Sequence, residues 1–304
     1  MRIAAVIVTF DRLSLLKDAL DAVTNQTRKL DLIIIVDNNS TDGTRQWLLG
    51  LAADRSDIVL VLLDKNYGGA GGFHYGIKKA FELGADWIWT MDDDSLPEPY
   101  ALERLLDCGI MNAGKDVRNV GFLASRVNWK DGTPHLMNVP GPFRAGASGQ
   151  EPLQGLTRIS YASFVSILLN RFTIAQAGLP IKEFFIYCDD VEYTRRITSA
   201  GFEAYFVEAS KVTHFTPANR GVSFDWIDVT PANLVKWQYT VRNLVAVNRR
   251  RKYGWLREPL RLGYILFRLT MSRTPLRIQA ALMAAGARGL FLNYEEWIEY
   301  IEPG

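Results

Sequence analysis

Three consecutive carboxylates, Asp92, Asp93 and Asp94, close the apolar run Trp87-Ile-Trp-Thr-Met91, and Pro97 follows shortly after. The run reads as a buried strand. Three acids at its exit cannot all stay ionised and unpaired, because desolvation and mutual repulsion both oppose charge. A divalent cation shared with a phosphate-bearing ligand resolves the conflict. In open α/β sheets ligands collect at the carboxyl ends of strands, where this cluster falls. The plainer alternative is a strand-to-helix loop in which Asp94 or Ser95 caps a helix after Pro97, but a cap needs one carboxylate and not three.

A second acidic group, Asp189, Asp190 and Glu192, follows the apolar run Phe184-Phe-Ile-Tyr187 and reads as another strand end opening a helix. Acids are favourable at a helix N-terminus in their own right. The chemical reading is a general base for an alcohol, its pKa raised by a neighbouring carboxylate. His214 ends the strand-like Lys211-Val-Thr-His214. It is either structural or a ligand for the metal that the aspartates call for. Asp37 ends a second apolar run, Leu32–Val36, and either caps a helix after Thr41 or accepts from a base N–H or a ribose hydroxyl. Four glycines in five positions (Gly68, Gly69, Gly71, Gly72) require close approach of the backbone to something. Their segment has no Lys-Ser/Thr ending and does not follow the first strand, so it is neither a nucleotide-hydrolase phosphate loop nor a dinucleotide fingerprint.

Strand and helix patterns alternate around these residues. Ile3–Thr9, Leu32–Val36, Ile58–Leu63 and the run ending at Met91 are strand-like. Leu13–Thr24, a segment to about Leu51, and a helix opened by the glycines and stopped by Gly84 lie between them. The alternation predicts an α/β domain with a mostly parallel central sheet flanked by helices. Val120–Val127, Phe164–Leu169, Phe184–Tyr187 and Ala204–Val207 are further short apolar runs, with a helix over Val191–Ala200. Asn128–Leu156 is loop-like, and a loop of that length is more often a binding loop than a linker.

The 304 residues, 48% hydrophobic, are ample for a large core. Two cysteines exclude a disulfide framework, and no Cys/His spacing suggests zinc. A reducing compartment is expected, and the opening apolar run is too short for a signal peptide. The net charge of +2 hides an asymmetry: Lys236 to Arg288 holds twelve Lys/Arg against one acid, Glu258, leaving 23 basic and 32 acidic residues elsewhere. Residues 1–230 therefore read as the catalytic domain and 231–304 as a basic helical extension. Arg257, Arg261 and Arg268 share one helical face, with Leu260, Tyr264, Ile265 and Phe267 as apolar surface. Arg277 and Arg288 break the last apolar stretch, so no spanning helix is expected. A basic amphipathic helix at an anionic membrane surface fits this pattern, and docking on protein, as in a homo-oligomer, is the alternative. A nucleic-acid reader is disfavoured: no reader module is recognisable, and the acidic site would repel phosphate.

Five segments together resemble the family 2 glycosyltransferases of the GT-A fold. They are Val6-Ile-Val-Thr-Phe-Asp-Arg12, Ile35-Val-Asp-Asn-Asn-Ser-Thr-Asp-Gly43, Asn66-Tyr-Gly-Gly-Ala-Gly-Gly72, Trp89-Thr-Met-Asp-Asp-Asp94 and Glu183-Phe-Phe-Ile-Tyr-Cys-Asp-Asp-Val-Glu-Tyr193. The last three look like the galactofuranosyltransferase-like subgroup. The resemblance covers about residues 1–245, and rhamnosyltransferases using dTDP-rhamnose share most of these motifs.

The resemblance implies an inverting transferase that uses a UDP-sugar, Mn2+ or Mg2+, and a glycan or polyprenyl-linked acceptor. It implies work on cell-envelope polysaccharide in the cytoplasm, at the inner face of the cell membrane. By the same token Thr9, Arg12, Asp37, Asn38, Asn66, Gly71, Asp92 and Asp93 serve the nucleotide-sugar. Asp94 and His214 hold the metal, Asp190 with Asp189 beside it is the base, and Arg242 and Asn243 face the acceptor side. Phe10-Asp11 and Asn38 depart from the usual Tyr-Asn and Asp of this family.

Overall fold

A computed structural model describes residues 1–112, 116–142, 155–221 and 229–302. The first half of the chain builds strand and helix in turn: β1 (Ile3–Thr9), α1 (Leu13–Thr24), β2 (Leu32–Asp37), α2 (Thr44–Asp54), β3 (Ile58–Leu62), α3 (Gly68–Glu82) and β4 (Trp87–Asp92). Then come β5 (Ser95–Pro97), α4 (Ala101–Leu106), α5 (Gly109–Asn112), β6 (Val120–Trp129), β7 (Gly141–Pro142), β8 (Leu156–Tyr161), β9 (Ile167–Asn170) and α6 (Arg171–Ala177). The series ends with α7 (Asp189–Ser199), β10 (Glu203–His214), α8 (Leu234–Arg249), α9 (Gly254–Met271) and α10 (Leu276–Phe291).

The strands form one sheet in the order β3-β2-β1-β4-β9-β6-β10-β8-β7, with β5 on the outer part of β10. From β3 to β4 all pairings are parallel. β9 then enters antiparallel to both β4 and β6, and β10 runs parallel to β6. β1 and β2 are buried along their whole length, as central parallel strands must be. Their side chains alternate between two cores. Ile3, Ala5 and Ile7 meet Leu16, Leu48 and Leu102 of α1, α2 and α4, while Ala4, Val6 and Val8 meet Phe73, Ile77, Ile174 and Ile197 of α3, α6 and α7.

The parallel order of β3, β2, β1 and β4 brings the C-terminal ends of β1, β2 and β4, with Thr9, Asp37 and Asp92, to one edge. β10 arrives at the same edge from the other half. The runs read separately as Ala204–Val207 and Lys211–His214 are one strand, irregular in register between Val207 and Lys211. That irregularity lets one strand pair with β8 early and β5 late, and it carries His214 opposite Ser95.

The glycines open α3, as expected. A Cβ on Gly72 would stand 2.3 Å from Val8 Cγ1, and one on Gly76 2.4 Å from Val6 Cγ1, so these glycines let the helix lie close on β1. Phe184–Tyr187 is not a strand. A 3-10 turn, Lys182–Phe184, leads into an irregular segment with positive φ at Phe185, Tyr187 and Cys188. Its carbonyls are taken by a side chain of α8, so no neighbouring strand is needed to satisfy them. The loop expected over Asn128–Leu156 is shorter at both ends: β6 runs on to Trp129 and β8 begins at Leu156, residues 130–140 lie outside helices and strands, β7 takes Gly141–Pro142, and residues 143–154 lie outside those described.

The last three helices share a core of Val241, Val245, Ile265, Leu269, Ile278 and Leu282. α8 also turns Ala246 and Val247 towards Ala70, Ile181 and Phe184 of the sheet domain. Among the described residues no helix is long and apolar enough to cross a membrane.

Candidate active site

Asp92, Asp94 and His214 come together where β4 and β10 end, and one ligand atom from each lies within 4.8 Å of the others. His214 Nδ1 lies 2.9 Å from Asn138 Oδ1, and the Asn138 amide donates to Ser163 Oγ at 2.8 Å. An amide oxygen only accepts, so with Asn138 in this orientation His214 Nδ1 is the donor. Nε2 is then left to face Asp94 Oδ1 at 3.1 Å. Two lone pairs at that distance in a buried site need a proton or a cation between them. Asp94 Oδ1 has no other hydrogen-bond partner among the described residues. Two hard carboxylate oxygens and one imidazole suit Mn2+ or Mg2+, so the donor set fits the ion that the sequence implied. His135 lies against the His214 ring, centroids 4.7 Å apart, and is tied to Thr216 Oγ1 at 2.8 Å. Burial and the neighbouring His214 push the His135 pKa down to about 4, so it is a neutral wall.

Arg12 reaches into the acidic group from after β1, with Nη1 2.8 Å from Asp94 Oδ2 and 3.2 Å from Asp93 Oδ1. Thr9 Oγ1 donates to Asp93 Oδ2 at 2.8 Å. Burial pushes Asp93 up to about 6 despite those partners. Burial also opposes ionisation of Asp94, but the His214 bond and Arg12 outweigh it and hold its carboxyl below the usual range. For Asp92 the Arg12 charge is outweighed: burial, then Asp94 and Asp93, raise its carboxyl well above the ordinary carboxylate range.

A cavity of about 230 Å³ opens beside this group. Thr9, Arg12, Asn38, Asn66, Asp92 and Asp93, six of the eight residues assigned to the nucleotide-sugar, line it together with Gly68, Gly69 and Phe185. Gly69 has open space where a Cβ would stand, and Gly68 adopts φ +70 with the Phe185 carbonyl against it. Asn38 is buried and holds the start of α3, its amide donating to Gly68 O at 2.8 Å and its Oδ1 accepting from Tyr67 N at 2.8 Å. Asp37 and Gly71 do not line the cavity. Asp37 is fully buried behind it, paired with Arg45 at 2.6 Å and accepting from Ser40 N. Gly71 sits against Tyr67.

Asp189 and Asp190 open α7 and do not line the cavity, but they are near enough for charge to couple them to Asp92. Asp190 Oδ1 accepts from Val191 N at 2.7 Å. Burial raises Asp190 to about 6, and burial with the Asp190 charge raises Asp189 well above the ordinary range. Asn243, assigned to the acceptor side, is fully buried, and its amide holds the backbone of the segment before Asp189. Arg242 donates to Asn243 Oδ1 and Glu183 O. Asn138, which orients His214, was not foreseen. Its only signal was its place in the long loop after β6.

A parallel-to-mixed sheet with carboxylates gathered at its strand ends beside a cavity defines the GT-A class of fold. The crystal structure of GalNAc-T7 with UDP, GalNAc and Mn2+ superposes with a TM-score of 0.60 at 16% identity, over 81% of this chain and 47% of that one. Residues 4–157 match the family described as Glycosyl transferase family 2, and the chain belongs to that family. It is 31% identical over 211 residues to the galactofuranosyltransferase GlfT1 of Mycolicibacterium smegmatis, 66% of each chain. It is 24% identical over 257 residues to the N-acetylglucosaminyl-diphospho-decaprenol L-rhamnosyltransferase of Mycobacterium tuberculosis, 75% of this chain and 78% of that one. The alignment thus spans just under two thirds of the galactofuranosyltransferase's length.

Proposed function

We propose that this chain transfers galactofuranose from UDP-galactofuranose to a glycan or polyprenyl-linked glycan in cell-envelope polysaccharide synthesis, with inversion at the anomeric carbon. The observation that carries this reading is the meeting of Asp92, Asp94 and His214 beside a cavity that Asp92 lines with Thr9, Arg12, Asn38 and Asn66, with Asp190 at the start of α7 close enough for its charge to reach Asp92. Asp94, His214 and Asp92 would hold a divalent cation, which supplies counter-charge for the leaving diphosphate. Arg12 adds a second positive charge on the same side. Asp190 takes the proton of the acceptor hydroxyl, that oxygen forms the new bond to the anomeric carbon, and the bond to UDP breaks on the opposite face. A carboxyl raised to about 6 is ionised at neutral pH yet basic enough for this task. No covalent enzyme intermediate is required.

The second reading is rhamnosyl transfer from dTDP-rhamnose. It is favoured by the rhamnosyltransferase relatives, which align over a larger share of the chain. The buried Asp-Asp-His set favours the metal-using galactofuranosyl reading. Residues 231–304 we read as the extension that brings the enzyme to an anionic membrane surface at the cytoplasmic face. On α9 the apolar stripe splits: Ile265 and Leu269 are buried in the helical core, whereas Trp255, Leu260, Phe267 and Met271 are exposed beside Arg257 and Arg268. An amphipathic surface of that composition suits a lipid interface. Donor hydrolysis and transfer, measured across UDP-galactofuranose, UDP-galactose, UDP-glucose and dTDP-rhamnose with Mn2+ or with chelator, test the reading. Turnover confined to dTDP-rhamnose and indifferent to chelator overturns it.

A further inference from the structure

Between the 3-10 turn at Lys182–Phe184 and α7 the chain makes a turn that its own sequence does not favour. Phe185, Tyr187 and Cys188 have φ of 63°, 63° and 66°, and none of them is glycine. Bulky side chains avoid this region, so the segment holds only where its surroundings over-determine it. Those surroundings come from one face of α8. Asn243, with no exposed surface, points its amide at three carbonyls: Phe184 O at 2.9 Å, Ile186 O at 3.0 Å and Tyr187 O at 3.0 Å. Arg242 Nε donates to Asn243 Oδ1 at 2.9 Å, which fixes the orientation of the amide, and Arg242 Nη2 holds Glu183 O at 2.7 Å. One turn earlier on the same face, Tyr239 stacks on the Phe185 ring, centroids 4.8 Å apart and planes 25° apart. From the opposite side Ala70 N, in the first turn of α3, donates to Phe185 O at 3.1 Å.

This segment has two outlets. Phe185 and Ile186 form part of the cavity wall. Cys188 is the residue from which α7 starts, so its backbone angles set where Asp189 and Asp190 emerge. We infer that Asn243 is a positioning residue, a clamp through which α8 holds the turn that aims Asp190 at the cavity. The inference rests on the reading of Asp190 as the base. It replaces acceptor contact by Asn243 with action through the 184–188 backbone, since its polar atoms are already committed there.

Asn243→Asp tests the clamp. The substitution keeps the shape and the acceptor for Arg242 but sets a carboxylate oxygen against three carbonyls. Transfer is to be measured per mole of UDP-binding protein in the wild type, Asn243→Asp, Asp190→Asn and the double variant, at a temperature well below melting. Asn243→Asp is expected to lower kcat by tenfold or more, with Kd for UDP within about threefold. In the Asp190→Asn background it is expected to cost less than twofold more, because a residue acting through the base has nothing left to aim. Hydrogen exchange should rise at 184–191 and stay unchanged in β1, β2 and β4. A loss that multiplies in the double variant, an unchanged kcat, or exchange that rises throughout overturns the inference. Asn243→Ala removes the donor without adding charge and should show the same pattern. If neither variant folds, Asn243 is a general core residue and the clamp is refuted. If no sugar nucleotide supports transfer at all, the proposed function fails, and the exchange pattern alone still decides whether Asn243 holds the turn.

Discussion

Removing the Asn138 side chain should weaken metal binding, although Asn138 is not itself a ligand of the proposed site. Its Oδ1, 2.9 Å from His214 Nδ1, keeps the proton on that nitrogen and leaves Nε2 free to face Asp94. Without it the imidazole can take the other tautomer, which presents N–H to the metal position, and can rotate away from His135. Loss of such an outer partner typically costs 10–100-fold in metal affinity, equivalent to about 1.4–2.8 kcal/mol. The Nδ1–H left buried without an acceptor would cost about 1–3 kcal/mol of stability in addition. Calorimetric titration of Mn2+ into the wild type, Asn138→Ala and Asn138→Asp, with and without UDP, measures the effect. Asn138→Ala should fall by at least tenfold, while Asn138→Asp, which still accepts from Nδ1, should bind at least as tightly as the wild type. If alanine binds within twofold of the wild type, or aspartate loses as much as alanine, the amide does not set the tautomer. Any proton held between Nε2 and Asp94 must leave as the ion enters. The apparent binding enthalpy should therefore change with the ionisation enthalpy of the buffer.

Asp190→Asn should keep donor binding and lose about 10²–10⁴-fold in turnover. In the wild type kcat should rise with pH through about 6, where Asp190 ionises, as a pH–rate profile with saturating donor will show. The same group predicts stability: its folded pKa of about 6 lies above the unfolded value, so the protein gains stability as pH falls from above 6 towards 4. Asp190→Asn should therefore raise Tm at pH 7.5, where the ionised wild-type carboxylate is opposed by about 3 kcal/mol, and the advantage should vanish below pH 4. Gly72→Ala puts a methyl 2.3 Å from Val8 Cγ1; overpacking of this kind costs about 1–3 kcal/mol, which differential scanning fluorimetry should report as a lower Tm. Vesicle flotation at low salt should capture the protein on anionic liposomes and not on neutral ones, and salt should release it; capture that ignores lipid charge refutes the electrostatic reading.

Much of the fold is legible because its first half obeys simple periodicities. Ile3–Thr9 and Leu32–Asp37 are buried on both faces and read as unbroken apolar runs. The carboxylates at the end of β4 stand out because nothing in a core explains three in a row. The misread parts share a physical cause, which is that one pattern served two purposes. Phe184–Tyr187 is apolar like a strand, but its rings pack against Tyr239 and Tyr294 while a side chain takes its carbonyls. Glycines in α3 look like a ligand cradle, yet only Gly68 and Gly69 line the cavity, and Gly72 and Gly76 answer to Val8 and Val6. Asn138 was illegible because its role depends on a contact across 76 residues with no local signature. On α9, periodicity shows an apolar stripe but not which part of it another helix covers.

The place of α8 bears on how the basic region should be tested. Val241 and Val245 pack into the helical core with Ile265 and Ile278, while Asn243, between them, faces the turn before Asp189. By sequence α8 belongs to the basic region, yet in space one of its faces holds the turn before Asp189. Deleting residues 234–302 would remove the amide that holds Phe184, Ile186 and Tyr187 together with every exposed arginine of α9. A truncated protein that neither binds lipid nor transfers sugar would say nothing about either. Charge reversal at Arg257 and Arg268 is the cleaner perturbation. Both lie on α9, outside the shared core of Ile265 and Leu269. If lipid binding only places the enzyme beside its acceptor, that variant should lose flotation and transfer to a membrane-borne acceptor while keeping transfer to a soluble one. A parallel loss on both acceptors would mean that α9 supports the site through α8 and that the surface charge serves the fold.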